Sequence, residues 1–144
     1  MAVVELDLEL AHRVIQHCLM QAKTRFCKPV CAAVCDANGF LISFARADGA
    51  PVRSIALSQQ KAYTVARMGV TTTAFLERLR REDIAIGYFC DPLLTALPGG
   101  ALLEDSMGRI IGAVGISGLA PLEDQLLADT ATAFVQHSKQ TTGS

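Results

Sequence analysis

Polar side chains at the ends of apolar segments are the residues of this sequence best placed for chemistry. Arg46 and Asp48 flank the turn after a strand-like segment. Lys61 interrupts a helical run of small residues, and Ser117 ends a glycine-rich strand. The Gly99-Gly100 bend would supply free backbone N–H groups to hold an anion such as a carboxylate. Together these residues predict an apolar pocket with a few convergent polar groups, the usual form of a small-ligand site.

The same residues leave other interpretations open. Arg46 and Asp48 would also form an ion pair that stabilises their turn, and Lys61 would also be an exposed helix charge. In an enzyme, Arg46 would hold an anionic substrate while Lys61 or Asp48 acts as the acid or base. That role requires a pKa moved toward neutrality by burial or by a neighbouring charge.

Two histidines in the first predicted helix are candidate ligands for haem iron. His12 and His17 are separated by roughly 140° around a helix, so they do not hold one metal ion together. Either could be a single axial ligand to haem, and a solvated or interface histidine is the alternative for each. His137, near the C-terminus, is expected to be exposed.

The five cysteines do not form the pattern of a disulfide or zinc framework. An odd count without a secretion signal favours free thiols in a reducing compartment. Cys27, Cys31 and Cys35 are evenly spaced, but structural zinc sites pair close cysteines with a second distant pair or with histidines. Cys31 and Cys35 lie in an apolar run, and we expect them to pack as small hydrophobic residues.

The elements that position these residues follow the order helix, hairpin, two helices, hairpin, helix. Apolar periodicity predicts helices at about 7–25, 54–68 and 73–83 and from residue 121 onward. It predicts strands at 30–35, 40–46, 101–104 and 109–117. Short turns within each hairpin imply an antiparallel sheet, so the sequence predicts an α+β fold.

The orientation of three of these elements can be predicted in more detail. In the second strand, Phe40, Ile42, Phe44 and Arg46 share one face by the two-residue period. In the last helix, the residues expected to face inward are Leu122, Leu126, Leu127, Ala131, Phe134 and Val135. Glycines at 112, 115 and 118 predict that a backbone or a ligand approaches the last strand closely.

Length and composition limit the class of protein. The 144 residues suffice for a single domain, with a core at about 7–137 and a flexible tail at 139–144. The net charge is −1, and the basic cluster of Arg78, Arg80 and Arg81 is interleaved with acidic residues, which argues against nucleic-acid binding. Apolar residues make up 51% of the chain, and a subunit interface would bury the excess, so we expect a homo-oligomer.

The sequence also predicts where the protein works. No basic and apolar stretches typical of a signal peptide open it. Its longest uncharged runs are too short, and too rich in Gly and Pro, to span a bilayer. We therefore expect a soluble, cytoplasmic protein without a membrane partner.

Five motifs in one order carry a resemblance to a known family. They are Asp36-x-x-Gly39, Arg46-Ala47-Asp48-Gly49-Ala50, Lys61-Ala62-Tyr63-Thr64-x-Ala66, Pro98-Gly99-Gly100, and Ile111-Gly112-Ala113-Val114-Gly115-Ile116-Ser117-Gly118 with Asp124 after it. Over about residues 8–135 the chain resembles the GlcG/HbpS family, also called the haem-degrading family, which includes the C-terminal domain of PduO-type proteins.

The resemblance implies a fold and a range of functions. The fold is a profilin-like antiparallel sheet of about five strands flanked by helices, assembled into homo-oligomers. Members of the family include haem binders, some linked to haem degradation or redox sensing, and corrinoid-associated domains. This chain departs from the family at Ala101-Leu102-Leu103, where a proline is usual, and at Val65, where a second alanine is usual.

Three functions follow from the sequence and the resemblance together. The first is an accessory protein that binds haem, a corrinoid or a related cofactor, linked to haem degradation or to a catabolic operon. The second is a small catabolic enzyme of the isomerase or tautomerase type, which moves a proton on a carboxylate or carbonyl metabolite. The third is a structural or regulatory subunit of an enzyme complex. No histidine lies inside the shared motifs, so the resemblance assigns no haem ligand.

Overall fold

The computed structural model describes the backbone of residues 5–142 and the side chains of residues 5–138. Its helices are α1 (Leu8–Gln21), α2 (Arg53–Met68), α3 (Thr72–Glu82) and α4 (Pro121–Thr142). Its strands are β1 (Cys31–Asp36), β2 (Leu41–Arg46), β3 (Gly100–Glu104) and β4 (Ile110–Ser117). A π-helical turn, Ala22–Phe26, extends α1, and a short 3-10 helix, Ile86–Phe89, follows α3. The predicted order of elements is confirmed.

The strands form one sheet in the order β2-β1-β4-β3, with every neighbouring pair antiparallel. The α+β class predicted from the hairpins is therefore confirmed. The described residues contain four strands in this sheet, where the family resemblance implied about five.

The sheet is covered by helices on both faces. Because side chains of a strand alternate, Ala32 and Val34 of β1 pack in the main core with α1 and α4. Ala33 and Cys35 face the other way and pack against α2. The apolar run in β1 is therefore buried on both faces.

A glycine lets α2 lie directly on β4. A Cβ atom at Gly115 would overlap the carbonyl oxygen of Ser58 in α2 and contact the amide nitrogen of Ala62. The glycine pattern predicted a close approach by a backbone or a ligand, and at Gly115 it is the backbone of α2.

The prediction of which β2 residues share one face is wrong for Ile42. The pairing of β1 with β2 slips between Val34 and Cys35, so that Ile42 is the extra residue of a bulge. Ile42 consequently packs with the main core, while Phe44 packs on the α2 side. A strict two-residue period does not anticipate this irregularity.

The inward face of α4 also differs from the prediction. Leu127, Ala131 and Val135 are buried as expected, but Leu122 and Leu126 are 70% and 54% exposed. Two polar residues, Asp124 and Gln125, occupy the inward positions of this first part of the helix. The helix continues to Thr142, into the predicted flexible tail, and residues 143 and 144 lie outside the described residues.

The two edges of the sheet differ in how they are covered. At β3, the side-chain amide of Gln125 donates to the carbonyl of Gly100 at 2.9 Å, and Thr132 Oγ1 donates to the carbonyl of Leu102 at 2.6 Å. Helix α4 thus covers this edge. None of the described side chains hydrogen-bonds to the backbone of β2.

Candidate functional site

Lys61 is fully buried and paired within the protein. Its ammonium nitrogen lies 3.1 Å from Oδ2 of Asp124 and donates to the carbonyl oxygen of Ile116 at 2.8 Å. Oδ1 of Asp124 accepts from the amide of Leu119 at 3.0 Å. The interpretation of Lys61 as an exposed helix charge is wrong, because its side chain has no solvent exposure.

Burial dominates the electrostatics of this pair. It lowers the pKa of Lys61 and raises the pKa of Asp124, since both charged forms lose contact with water. Their mutual attraction opposes both shifts. The pair therefore joins α2 to the start of α4 at a point that solvent does not reach.

The backbone N–H groups of Gly99 and Gly100 are not free. The amide of Gly99 donates to Oε1 of Gln125 at 2.8 Å, and that of Gly100 donates to Oγ1 of Thr72 at 2.9 Å. The expectation that they are available to an anion is wrong in this conformation. Gly99 has φ +137°, and a Cβ there would come within 2.7 Å of Nζ of Lys61. A larger residue is thus excluded by both its backbone and its surroundings.

Gln125 uses all of its hydrogen-bonding capacity inside the protein. Oε1 also accepts from the hydroxyls of Thr72 and Thr73, at 3.2 and 3.0 Å. Nε2 donates to the carbonyl of Gly100 and to Oδ1 of Asp129, both at 2.9 Å. We refer to Lys61, Thr72, Gly99, Gly100, Asp124 and Gln125 as the buried polar cluster. The described hydrogen bonds of this cluster attach the Gly99-Gly100 bend to α4.

Within the described residues, the side chains of the other predicted ligand-binding residues make no hydrogen bond to this cluster. Arg46 and Ser117 occupy one row across the sheet, with Cys31 between them, so they are separated by about 10 Å. Ser117 is buried and its hydroxyl bonds that of Ser54 at 3.0 Å. The structure therefore does not bring all six predicted residues into one pocket.

Arg46 and Asp48 are both exposed near the β2–α2 loop. The guanidinium of Arg46 donates to the carbonyl of Ala50 at 3.4 Å. No ion pair within residues 5–138 joins Arg46 to Asp48, and the turn contains a backbone hydrogen bond from the amide of Ala50 to the carbonyl of Ala47 at 3.0 Å.

Cavities on the protein surface are lined by residues that sequence analysis mostly missed. One, of about 280 Å³, is lined by Arg13, Gln16, His17, Met20, Gln21 and Phe134, and we call it the histidine cavity. A second, of about 620 Å³, is lined by Leu19, Lys23, Cys27, Lys28, Pro29, Ala47 and Asp48, and we call it the lysine cavity. Of the predicted site residues, Asp48 lines the lysine cavity and the candidate haem ligand His17 lines the histidine cavity.

His17 is held between α1 and α4 with a defined proton position. Its ring stacks on Phe134 at 4.5 Å, and its Nε2 lies 3.0 Å from Oγ1 of Thr130. The hydroxyl proton of Thr130 is directed to the carbonyl of Leu127 at 2.6 Å, so Oγ1 accepts from His17. Nε2 therefore carries the proton in the neutral ring, and the lone pair is on Nδ1.

Burial lowers the pKa of His17, which favours the neutral form near pH 7. Among the described residues, none bonds Nδ1. His12, the other candidate, is exposed on α1 and lines neither of the two cavities. The two histidines thus differ in environment, and only His17 has a partner that fixes its tautomer.

A third cavity, of about 340 Å³, lies between α2 and the β1–β2 hairpin and is mainly apolar. The hydroxyl of Tyr63, on its wall, donates to Oδ2 of Asp91 at 2.6 Å. This hydrogen bond raises the pKa of Tyr63 and lowers that of Asp91. Tyr63 is therefore a phenol rather than a phenolate at neutral pH.

The cysteines divide into buried and exposed groups. Cys18, Cys31 and Cys35 are buried, as the core interpretation predicted for the last two, and burial raises the pKa of Cys18 and of Cys35 to about 12. Cys27 and Cys90 are exposed. Within the described residues, no group of three or more His, Cys, Asp or Glu side chains is arranged to hold a metal ion.

Sequence signals existed for some of the missed residues but not for others. Gln125 follows Asp124 of the shared motif, and Lys23, Cys27 and Lys28 form a short basic segment after α1. Thr130 carried no signal, because its contact with His17 joins residues 113 positions apart.

None of the described helices is long and apolar enough to cross a membrane.

Comparison with known proteins gives relatives that cover most of the chain. A sequence profile described as haem degrading protein HbpS-like matches residues 6–133. Protein GlcG of Escherichia coli strain K12 is 36% identical over 88 residues, which are 61% of this chain and 63% of GlcG, less than two thirds of either.

Solved structures share the fold over nearly the whole chain. The crystal structure of HbpS superimposes with a TM-score of 0.83 at 25% identity, covering 95% of this chain and 94% of HbpS. The crystal structure of a PduOC:haem complex superimposes with a TM-score of 0.79 at 26% identity, covering 90% of this chain and 94% of PduOC.

Proposed function

Because the chain belongs to the HbpS-like family of haem-degrading proteins, we propose that it is an accessory protein that binds haem. The relative that carries this proposal furthest is PduOC, whose structure was solved as a complex with haem. Haem, when bound, supplies a redox-active iron that needs one or two axial ligands from its surroundings.

We place the iron ligand at His17, and the observation that carries this assignment is its contact with Thr130. A histidine that ligates a metal usually donates its second N–H to a fixed acceptor. The Nε2–H of His17 has such an acceptor in Oγ1 of Thr130, at 3.0 Å, which leaves the lone pair of Nδ1 for iron.

The lining of the histidine cavity suits a flat, apolar ligand with carboxylate groups. Phe134 and Met20 offer apolar surface, and Arg13 offers a cation for a propionate group. A volume of about 280 Å³ lies just below the usual range for ligand pockets, so haem would be only partly covered by one chain. We infer that a second subunit completes the cover, in line with the predicted homo-oligomer.

The experiment is an absorption titration with haemin. We expect wild type to give a saturable Soret shift at one haem per chain. His17→Ala is expected to weaken binding by about tenfold or more, because it removes the ligand. His12→Ala is the matched control on the same helix and should behave as wild type. Added imidazole should restore the Soret position in His17→Ala, which separates lost ligation from a lost fold.

Other outcomes would overturn parts of the proposal. The absence of any shift in wild type would remove haem as the ligand. A shift that survives in His17→Ala but disappears in Cys27→Ser would move the axial ligand to the lysine cavity. A parallel titration with cobalamin tests the corrinoid alternative, and a saturable change with cobalamin alone would favour it.

The enzyme alternative receives no comparable support from Lys61, one of the two predicted acid or base residues. Lys61 has no solvent exposure and lines none of the three cavities described above. Unchanged turnover of a candidate carboxylate substrate by Lys61→Met would exclude Lys61 as its acid or base.

A further inference from the structure

The lysine cavity lies between the end of α1 and the β2–α2 loop, away from the buried polar cluster. Leu19, Pro29 and Ala47 give it apolar walls. Lys23 and Lys28 bring two positive charges, and Asp48 brings one negative charge. Its volume of about 620 Å³ falls within the range that small-molecule sites occupy.

The ammonium groups of Lys23 and Lys28 have no described partner. Neither Lys23 nor Lys28 takes part in an ion pair or side-chain hydrogen bond within residues 5–138, whereas Arg109 is paired with Asp105 at 2.9 Å. Two ammonium groups against one carboxylate leave the cavity with a net positive charge. An anion that enters it would meet these charges without displacing an existing partner.

The thiol of Cys27 lies in the same wall. Cys27 is exposed, with a left-handed φ of 54°, directly after the π-helical turn Ala22–Phe26. Cys18, on α1, is by contrast fully buried. The nucleophilic sulfur of Cys27 therefore lies in the cavity wall. In the sequence, Cys27 stands between Lys23 and Lys28.

We propose that the lysine cavity binds a small organic anion, namely a carboxylate with an apolar body. Lys23 and Lys28 hold the carboxylate group, and Leu19, Pro29 and Ala47 contact the apolar part. Asp48 accepts a hydrogen bond from a hydroxyl or amino substituent of the ligand. The thiol of Cys27 lies beside the bound anion and reports its presence. This site is separate from the histidine cavity and does not depend on haem.

The test measures alkylation of Cys27 in the full-length, haem-free protein, with Cys90 as an internal control. Cys90 is also exposed, with φ 55°, but it lies beside Asp91 and outside the lysine cavity. Iodoacetate and iodoacetamide react alike, because the thiolate sulfur forms a bond to carbon and iodide leaves. They differ in that iodoacetate carries a carboxylate. Peptide mass spectrometry gives the rate at each cysteine separately.

We expect the ratio of the iodoacetate rate to the iodoacetamide rate to be about tenfold or more higher at Cys27 than at Cys90. Lys23→Gln and Lys28→Gln should each lower that ratio at Cys27 and leave Cys90 unchanged. Equal ratios at the two cysteines would overturn the proposal.

A second measurement separates a bound ligand from a general positive potential. Benzoate should protect Cys27 from iodoacetamide with a saturable concentration dependence, while benzamide should not. Protection should weaken in both lysine variants. A linear dependence on benzoate, or equal protection by sodium chloride at the same ionic strength, would mean electrostatic screening without a site and would overturn the proposal.

Discussion

The buried polar cluster and the two cavities beside α1 differ in the solvent exposure and the hydrogen bonding of their polar side chains. In the cluster, Lys61 has no exposure and Gln125 makes five described hydrogen bonds. Beside α1, Lys23 and Lys28 make none that is described, and His17 keeps one ring nitrogen free of described partners. The cluster is closed to solvent, and the cavities are open to it.

With the exception of Asp48, this contrast separates the motif residues from the residues that are free to bind a ligand. The motif residues Lys61, Gly99, Gly100 and Asp124 are held by contacts with one another or with their neighbours. Their arrangement fixes the bend before β3 and the start of α4. His17, Lys23 and Lys28, which have unused capacity, lie outside the motifs, whereas Asp48 of the second motif lines the lysine cavity.

The largest effect should come from breaking the buried ion pair. We expect Lys61→Met to lower the free energy of unfolding by about 3–5 kcal/mol, since it leaves Asp124 buried without its partner. Urea unfolding measures this value. Glu82→Gln, which breaks the exposed pair between Arg78 and Glu82, should cost less than about 1 kcal/mol.

A double variant sharpens that result. Lys61→Met combined with Asp124→Asn removes both charges and keeps an acceptor for the amide of Leu119, so it should recover part of the loss. A cost below about 1 kcal/mol for Lys61→Met alone would contradict a structural role for the buried pair.

A smaller effect should come from the contact between α2 and β4. Gly115→Ala places a methyl group against the carbonyl of Ser58, and we expect a loss of about 1–3 kcal/mol in unfolding free energy. Gly87→Ala is the matched control, because nothing lies within 4 Å of its added Cβ and its φ is not positive. Its effect should stay within about 0.5 kcal/mol. Equal effects of the two substitutions would mean that α2 shifts without strain.

The smallest effect should be a pH dependence at His17. Burial lowers its pKa in the folded chain, so between that value and 6.5 the unfolded chain binds more protons. The stability contributed by His17 is therefore present above pH 6.5 and is lost as the pH falls through this window. Subtracting the unfolding free energy of His17→Gln from that of wild type, between pH 5 and 8, isolates it. A difference that stays constant or rises toward pH 5 would contradict the burial of His17.

Local signals sufficed for the elements and for their order. Asp7 accepts from the amide of Leu10 as the N-cap of α1, and Gly69 ends α2 with φ 73°. These features depend on residues within one or two turns of each other. The α+β class followed because each hairpin pairs strands that are neighbours in sequence.

The candidate site needed contacts that no local pattern contains. Periodicity directed Leu126 inward, but the buried side chain is its neighbour Gln125, because the Gly99-Gly100 bend offers it hydrogen bonds. Apolar periodicity considers apolar residues alone, so it does not predict that a polar side chain such as that of Gln125 is buried. The proton on Nε2 of His17 likewise depends on Thr130 in another helix.

The uneven covering of the sheet edges has a consequence for aggregation. Growth into a fibril by strand addition requires two open edges on every chain, one to accept a strand and one to offer the next. Here α4 closes the edge at β3 through Gln125 and Thr132, so within the described residues β2 is the edge left to accept a strand. If two chains paired through their β2 strands, the covered β3 edge would lie at each end of the joined sheet. Strand addition would therefore stop at two chains.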